Sequence, residues 1–351
     1  MQLDIRYISG AGFHFGRHGL GQEESGVHLP SDSLFAALIA RLVVLRGPEA
    51  ADKWIQLFLG NQPPFVISSA FPRAGRVLFF PTPLRYGKSR NEDPISFKNL
   101  KKIEYVSEGV FRKLLAGVPL TDLYDDDHTL QGGHALYGSD EKKQLPPELR
   151  DKKASLWYIE QRPRVTIGRE RQNSTLYFTG RTSFSPDCGL WFAIHWHNTT
   201  DEIHESVNQL LEDLQHAGLG GERASGFGQS TISTAVSIDL PDGNDQPWVS
   251  LSRYLPHLED TPAMLDPRAA YRIESVGGWV ESPGKPAERR RSLRMLVEGS
   301  MLGPVSRAVP GQVVDVQPDY DGTRPLGHPV WRYGLSLAVG FLPGVLEVNN
   351  L

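Results

Sequence analysis

The segment that most restricts how this chain can fold is a helix that leads into a glycine-rich loop and then a strand. DEIHESVNQLLEDLQHAG carries its apolar residues at helical spacing, which predicts an amphipathic helix that ends at Gly218. GLGGERASGFGQS, residues 218–230, follows and contains five glycines. QSTISTAVSIDL is then β-branched and alternating, as in a strand. A helix that returns directly into a strand in this way indicates an α+β fold.

The other predicted strands and helices before residue 240 complete a recognisable order of secondary-structure elements. Residues 2–8 alternate as a strand, and Ser31 is a predicted N-cap for a helix. The segments 65–71 and 76–81 are predicted to form a strand pair. With the glycine-loop helix and its strand, the order is β-α-β-β-α-β, which is the ferredoxin-like arrangement.

A long insertion and a linker define the expected domains. Residues from about 84 to 156 are polar and rich in Pro and Gly, which predicts an insertion with little core of its own. PDGNDQP, at 241–247, is typical of a linker. We therefore predict an N-terminal domain at 1–240 and a C-terminal domain at 248–351, the second built mainly from strands.

Composition limits the compartment and the class of function. The chain has 351 residues, a formal net charge of -4 and one cysteine, Cys188, so it has no intramolecular disulfide or multi-cysteine zinc site. The sequence shows neither a signal-peptide pattern nor a run of eighteen apolar residues, which predicts a cytoplasmic protein with no membrane contact. A free-standing, non-specific nucleic-acid binder would usually be basic, so the net charge counts against that class.

The glycine loop does not fit a mononucleotide site. Phe227 stands where a P-loop needs lysine, and no helix follows the loop to hold a pyrophosphate. Two interpretations stay open. The loop is either a turn that needs positive φ angles, or a backbone surface that lies against a polyanion, with Arg223 contacting phosphates.

Four segments carry a resemblance to a known family. GLGGERASGFG resembles the glycine-loop signature of the RAMP superfamily of CRISPR proteins. The segments Phe13–Ile39, Arg162–Phe184 and Gly277–Leu302 resemble parts of the fourth subunit of type III-A (Csm) complexes. The equivalent subunit of type III-B complexes is the nearest alternative.

The resemblance implies fold, function and partners. The fold would be two ferredoxin-like (RRM-like) domains, with the insertion as a thumb near the guide–target RNA duplex. The chain would anchor the 5′ handle of the CRISPR RNA (crRNA) and dock the large polymerase/cyclase subunit and the backbone RAMP subunits. It would be no enzyme, with no catalytic residues, cofactor or metal.

The expected RNA-binding residues combine this resemblance with arginine chemistry. Five arginines lie between Arg162 and Arg181 against one acid, Glu170, and arginine forks pair with phosphate and stack on bases. The predicted RNA-binding residues are His14, Phe15, Gly16, Ser31, Arg164, Arg169, Arg171, Gly220, Gly221, Arg223, Ser225, Gly226, Phe227 and Gly228.

Other hypotheses stay open. A metal-independent RAMP endoribonuclease would use His14 or His28 as general acid or base, and a third possibility is a nucleotide-binding glycine loop. The basic run 285–294 would contact RNA or an acidic partner, or be a solvated edge. Trp279 is predicted to be a packing residue, and the acidic run 125–127 a solvated loop rather than a metal site.

Overall fold

The structure of the protein is a computed structural model, which describes residues 1–16, 24–84, 98–167, 174–280, 282 and 284–341. Three of its helices exceed ten residues and the others are short. The helices are α1 Ser31–Arg46, α2 Pro48–Leu59, α3 Glu108–Leu115, α4 Leu120–Leu123, α5 Pro147–Arg150, α6 Asp201–Ala217 and α7 Thr261–Met264.

The strands of the first 240 residues are β1 Gln2–Gly10, β2 Phe65–Ile67, β3 Phe71–Ala74, β4 Val77–Pro81, β5 Tyr105–Ser107, β6 Thr129–Leu130, β7 Ala135–Leu136, β8 Trp157–Ile167, β9 Ser174–Phe184, β10 Cys188–Trp196, β11 Ser230–Thr234 and β12 Ile238–Asp239. The remaining strands are β13 Trp248–Ser250, β14 Ile273–Val276, β15 Trp279–Val280, β16 Glu288–Arg289, β17 Leu293–Leu296, β18 Met301–Leu302, β19 Val313–Asp315, β20 Trp331–Tyr333 and β21 Ala338–Gly340.

The N-terminal sheet has a ferredoxin-like strand order, but its third strand is β10 and not the predicted segment 76–81, which forms β4 and pairs with β3. β10 pairs with β1 on one side and with both β2 and β3 on the other, and β11 pairs with the far edge of β1. All these pairs are antiparallel. β10 is central because most of its side chains are apolar and its first seven residues are buried. Helices α1 and α6 supply the two helical connections, so the α+β class is confirmed.

The predicted insertion departs from expectation in its described part, residues 98–156. β5 pairs with β4 and extends the main sheet, and β7 and β6 follow at the edge. Apolar side chains of this segment, such as Val106, Phe111 and Leu136, are buried in the main core. The sequence suggested little core because these apolar residues occur singly or in pairs among polar ones, and only tertiary packing brings them together.

The C-terminal part contributes mainly strands. β13 pairs with β18 and β21, and β14–β17, β15–β16 and β19–β20 form two-stranded pairs. The only α-helix among its described residues is α7, with four residues. The full β-α-β-β-α-β order is therefore realised in the N-terminal part.

One hydrophobic core crosses the predicted linker. Leu251, Tyr333 and Leu337 from the C-terminal part belong to the same buried cluster as Leu34 and Phe35 of α1. A second, smaller cluster surrounds Trp248 and Tyr254. The predicted boundary at 241–247 thus joins two parts that bury apolar surface against each other.

Buried charges reinforce this junction at the start of α1. Asp32, 2% exposed, forms an ion pair with Arg332 of β20. The carboxylate of Glu298 lies 3.2 Å from Arg253 and accepts a hydrogen bond from the Ser69 hydroxyl. Burial alone would raise the pKa of Glu298, but Arg253 and His28 hold it well below its usual range.

Ser31 belongs to this junction and does not cap the helix as predicted. Pro30 occupies the N-cap position, and no side chain caps the first turn. The Ser31 hydroxyl instead accepts a hydrogen bond from the backbone N–H of Arg253 (3.0 Å). Because Ser31 is fully buried, the structure does not present its side chain as an RNA contact.

Within the described ranges, no helix combines the length and apolarity needed to cross a bilayer.

Candidate nucleic-acid interface

The glycine loop, residues 218–229, leaves α6 through a left-handed turn. Gly218 has φ +81°, and its N–H donates to the carbonyl of Leu214. Arg223–Ser225 then form one 3₁₀ turn between Glu222 and Gly226, which are both left-handed. The positive φ angles explain part of the glycine content, as one of the two sequence interpretations requires.

Three glycines of the loop pack against the chain's own backbone. The N–H of Gly221 donates to the His14 carbonyl, and the N–H of Gly228 donates to the Gly12 carbonyl, both at 2.9 Å. A Cβ on Gly220 would lie 2.5 Å from the His14 carbonyl oxygen. A Cβ on Gly228 would overlap the carbonyl of Leu219. These glycines are needed to seat the loop on residues 12–14.

Gly226 differs because no atom lies within 4 Å of the position that its Cβ would occupy. It is exposed at the tip of the loop, beside the exposed Ser225. A second molecule's backbone could therefore approach closely at Gly226. The other three glycines are instead required by contacts with residues 12–14 and 219 of this chain.

His14 connects the glycine loop to β9. Its Nδ1–H donates to the carbonyl oxygen of Gly180 at 2.8 Å, and its ring packs beside Gly221. The side chain is buried, with 8% exposure. Gly16, two residues later, is exposed. Phe15 is 4% exposed and stacks on Phe13 at 5.2 Å, so its ring is not available to a base.

Phe227 lies between two arginines of the β8–β9 hairpin. The guanidinium carbons of Arg164 and Arg181 are 5.1 and 5.8 Å from its ring centroid. Arg164 donates to the carbonyl of Ser225 at 3.2 Å, and Arg181 donates to that of Ala11 at 2.6 Å. These contacts explain why the loop needs an aromatic residue where a P-loop has lysine.

The charge of this cluster is not neutralised within the described chain. Neither Arg164 nor Arg181 forms an ion pair with a described carboxylate, and the Nε of each has no hydrogen-bond partner. Arg223 is exposed on the loop, and its side chain makes no hydrogen bond or ion pair with any described residue. The three guanidinium groups border a surface suited to an anion.

The β8–β9 hairpin extends this basic surface with an aromatic residue. Directly opposite residues share a face, and the pair Arg164 with Tyr177 places an arginine and an aromatic together. The other face carries Val165 and Leu176, which are 57% and 60% exposed. The hairpin thus has a basic face against the glycine loop and an exposed apolar face opposite.

The predicted set is therefore divided by the structure. It brings together His14, Gly16, Arg164 and most of the glycine loop, but leaves Phe15 and Ser31 in the interior. Arg169 and Arg171 lie outside the described residues. Arg181 was missing from the predicted set, although the count of five arginines between 162 and 181 included it.

Elsewhere the titratable clusters are structural. In the acidic run, the Asp125 carboxylate accepts from the N–H of Asp127 and lies 2.9 Å from His128. Among the described residues, no group of three or more His, Cys, Asp or Glu side chains is arranged to hold a metal ion.

Comparisons with known proteins agree with this architecture. Residues 243–341 match the family model of the CRISPR Csm4 C-terminal domain. The curated protein Csm4 of Thermococcus onnurineus is 25% identical over 329 residues, covering 90% of this chain and 93% of that protein. Csm4 of Streptococcus thermophilus is 25% identical over 312 residues, covering 87% and 89%. Residues 243–341 of this chain thus match the C-terminal domain of Csm4, and most of the chain is similar to curated Csm4 proteins.

Solved structures that contain Csm4 share the fold of this chain. The crystal structure of a Csm3–Csm4 subcomplex from a type III-A interference complex aligns with a TM-score of 0.63 at 18% identity, covering 97% of this chain and all of that one. A Csm1–Csm4 cassette in complex with pppApA aligns with a TM-score of 0.55 at 16% identity, covering 97% and 98%. The α+β fold of this chain is thus shared with these solved structures and is consistent with RRM-like domains.

Proposed function

We propose that this chain is a non-catalytic RNA-binding subunit of a type III-A CRISPR complex, that it anchors the 5′ handle of the crRNA, and that it docks the large polymerase/cyclase subunit and a backbone RAMP subunit. The relatives whose structures align with it were crystallised with Csm3 and with Csm1, which supports the two protein partners.

The observation that carries the RNA assignment is the unpaired charge around the glycine loop. Arg164 and Arg181 hold Phe227 and keep their charge free of carboxylates, while Arg223 extends from the loop into solvent. Single-stranded RNA is held by backbone contacts and stacking, and arginine supplies both. Gly226 leaves room for a sugar-phosphate backbone at the loop tip.

The net charge of -4 fits a subunit that holds RNA inside an assembly. Counterion release by Lys and Arg supplies most non-specific affinity, and an acidic chain has little of it outside a local patch. We therefore expect the isolated chain to bind short RNA weakly and to gain affinity with its partner subunits.

Contact with the guide–target duplex is better assigned to the β8–β9 hairpin than to the predicted insertion. The described residues 98–156 are packed into the main core, whereas the hairpin forms its own two-stranded sheet, is bridged to the N-terminal part between Phe13 and Thr182, and exposes Val165 and Leu176. An arm of this kind can reach a duplex while its basic face stays against the glycine loop.

The side chains of the two candidate histidines favour a non-catalytic function. His14 is buried and donates to Gly180, and His28 lies 3.1 Å from the Tyr105 hydroxyl and 3.6 Å from the Glu298 carboxylate. A general acid or base must reach the RNA that it cleaves. Incubation of repeat RNA with the protein in EDTA tests this, because site-specific cleavage lost on His14→Ala would establish a ribonuclease.

The decisive experiment compares two arginines of one strand. Arg164 and Arg162 share a face of β8, but Arg162 is paired with Glu160 at 2.6 Å and Arg164 has no acidic partner. In reconstituted complexes, Arg164→Ala and Arg223→Ala should each lower crRNA handle affinity about tenfold, equal to about 1.4 kcal/mol. Arg162→Ala is the matched control, with little change expected. Equal handle affinity in all three variants and the wild type would refute the site.

A further inference from the structure

Trp279 is exposed, contrary to the packing role that the sequence suggested. The residue is 62% exposed. The other six tryptophans also lie in described segments, and each of them is buried or half-buried. Trp279 lies in β15 directly opposite Arg289 of β16, whose guanidinium carbon is 5.6 Å from the ring centroid. An exposed tryptophan covered on one side by an arginine is a surface that accepts a flat partner on the other.

The turn below this ring is rigidly held. The carbonyl of Gly277 accepts hydrogen bonds from Arg290 (3.1 Å) and Arg332 (3.3 Å), and Arg332 is itself paired with buried Asp32. Gly278 has φ +124°, and a Cβ there would lie 2.6 Å from the Arg290 guanidinium. The ring is thus pre-positioned by the fold, which reduces the entropy lost on binding a ligand.

Three arginines of the same hairpin and its neighbouring strand, Arg289, Arg290 and Arg294, form no ion pair with a described carboxylate. Arg290 is mostly buried, forms no ion pair with a described carboxylate, and leaves its Nε without a hydrogen-bond partner. Burial and the nearby Arg332 lower the pKa of Arg290 to about 10, so it stays charged at neutral pH. Arg289 and Arg294 are exposed and are also free of described ion pairs. A buried cation usually has an anionic partner, but Asp32, whose charge acts to raise the pKa of Arg290, is already paired with Arg332.

We propose that Trp279, Arg289 and Arg290 form a second subsite for one nucleotide of a single-stranded RNA, in which the base stacks on Trp279 and a phosphate accepts from the arginines. This subsite rests on the proposed RNA function and adds a contact outside the glycine loop. An acidic peptide would use the cations but would leave the ring face uncovered, whereas a nucleotide uses both.

The test uses the full-length chain at low salt and a fluorescein-labelled RNA of eight adenosines. Stacking of one base on an aromatic ring contributes about 1–3 kcal/mol, so Trp279→Ala should weaken binding by about 5- to 160-fold. Trp279→Phe should retain most of the affinity because it retains a ring. Lys53→Ala, which removes an exposed charge from α2, is the control for lost positive charge alone.

Two further ligands, inorganic phosphate and AMP, test whether the subsite binds an RNA strand rather than a free phosphate or a single nucleotide. Inorganic phosphate should not quench the fluorescence of Trp279, measured as the difference between wild type and Trp279→Ala. AMP should quench it only at concentrations far above those of the octamer. AMP binding as tight as that of the octamer would overturn the assignment to an RNA strand.

The outcomes also separate this subsite from the glycine-loop proposal. Unchanged affinity of Trp279→Ala beside a loss in Arg223→Ala overturns the subsite alone. The reverse pattern supports the subsite and removes the glycine loop from RNA binding, and no loss in either variant removes both. Unchanged RNA affinity of Trp279→Ala with lost binding to an acidic protein subunit would reassign the surface to a protein.

Discussion

Two glycines with nearly the same backbone angle should respond differently to alanine. Gly226 has φ +85° and Gly228 has φ +84°, so each Ala variant has the same left-handed cost of about 1–2 kcal/mol, partly offset by about 0.4–1 kcal/mol from the less flexible unfolded chain. Gly226→Ala meets no atom within 4 Å, so its free energy of unfolding should fall by about 1 kcal/mol.

Gly228→Ala should be destabilised much more because its Cβ would overlap the Leu219 carbonyl and lie 2.8 Å from the Leu219 nitrogen. The backbone shift that relieves such a contact costs about 1–3 kcal/mol. It also strains the hydrogen bonds of Gly228 to Gly12 and Leu219, whose net contribution is about 1 kcal/mol each. With the net backbone cost of about 1 kcal/mol, the total loss expected is about 2–4 kcal/mol if both hydrogen bonds are kept and about 4–6 kcal/mol if both are lost.

The assay is urea denaturation of both variants, followed by tryptophan fluorescence. We expect the midpoint of Gly228→Ala to lie well below that of Gly226→Ala, which should stay close to wild type. Similar midpoints for the two variants would show that the backbone of Gly228 does not lie against Leu219 and Gly12 as described. RNA binding, measured on the same samples, should fall for Gly226→Ala only if a ligand lies against the loop tip.

Two further predictions concern buried charge. Asp32→Asn leaves Arg332 buried without its partner and should lower the free energy of unfolding by about 3–5 kcal/mol. Glu160→Gln breaks an exposed pair and should lower it by under about 1 kcal/mol. Comparable urea midpoints for the two variants would refute this. Burial and His195 lower the pKa of His197 to about 4, below an unfolded value of about 6.5. The unfolded state therefore binds a proton first, and stability should fall as pH drops from 6.5 towards 4, by about 1–2 kcal/mol at pH 5 relative to His197→Gln. Parallel pH profiles for the two proteins would contradict the assignment.

The structure explains the polar residues around His28 and Asp32, within the segment Phe13–Ile39 that resembles the Csm subunit. Asp32 pairs with Arg332, Ser31 accepts from Arg253, and His28 lies beside Glu298, so the segment joins the two halves of the chain. The sequence pattern suggested RNA contact and helix capping for Ser31. The interdomain role was not predictable because its partners lie more than 200 residues away.

The sequence alone determined the N-terminal fold and the position of the glycine loop. Helical spacing between Ile203 and Leu214, a glycine at 218 and an alternating strand are local signals, because side-chain periodicity follows from backbone geometry over a few residues. The ferredoxin-like order followed from those signals and was confirmed, with β10 in place of the predicted third strand. Local patterns also marked the arginine-rich hairpin as a candidate surface.

Only the tertiary structure decided what each candidate residue contacts. It seated Gly221 and Gly228 on residues 12–14, placed Arg181 beside Arg164 on Phe227, buried Phe15 and Ser31, and left Trp279 in solvent. These outcomes depend on contacts between distant segments, such as His14 with Gly180, 166 positions apart. Burial and close approach are properties of the packed chain, so no local pattern of residues encodes them.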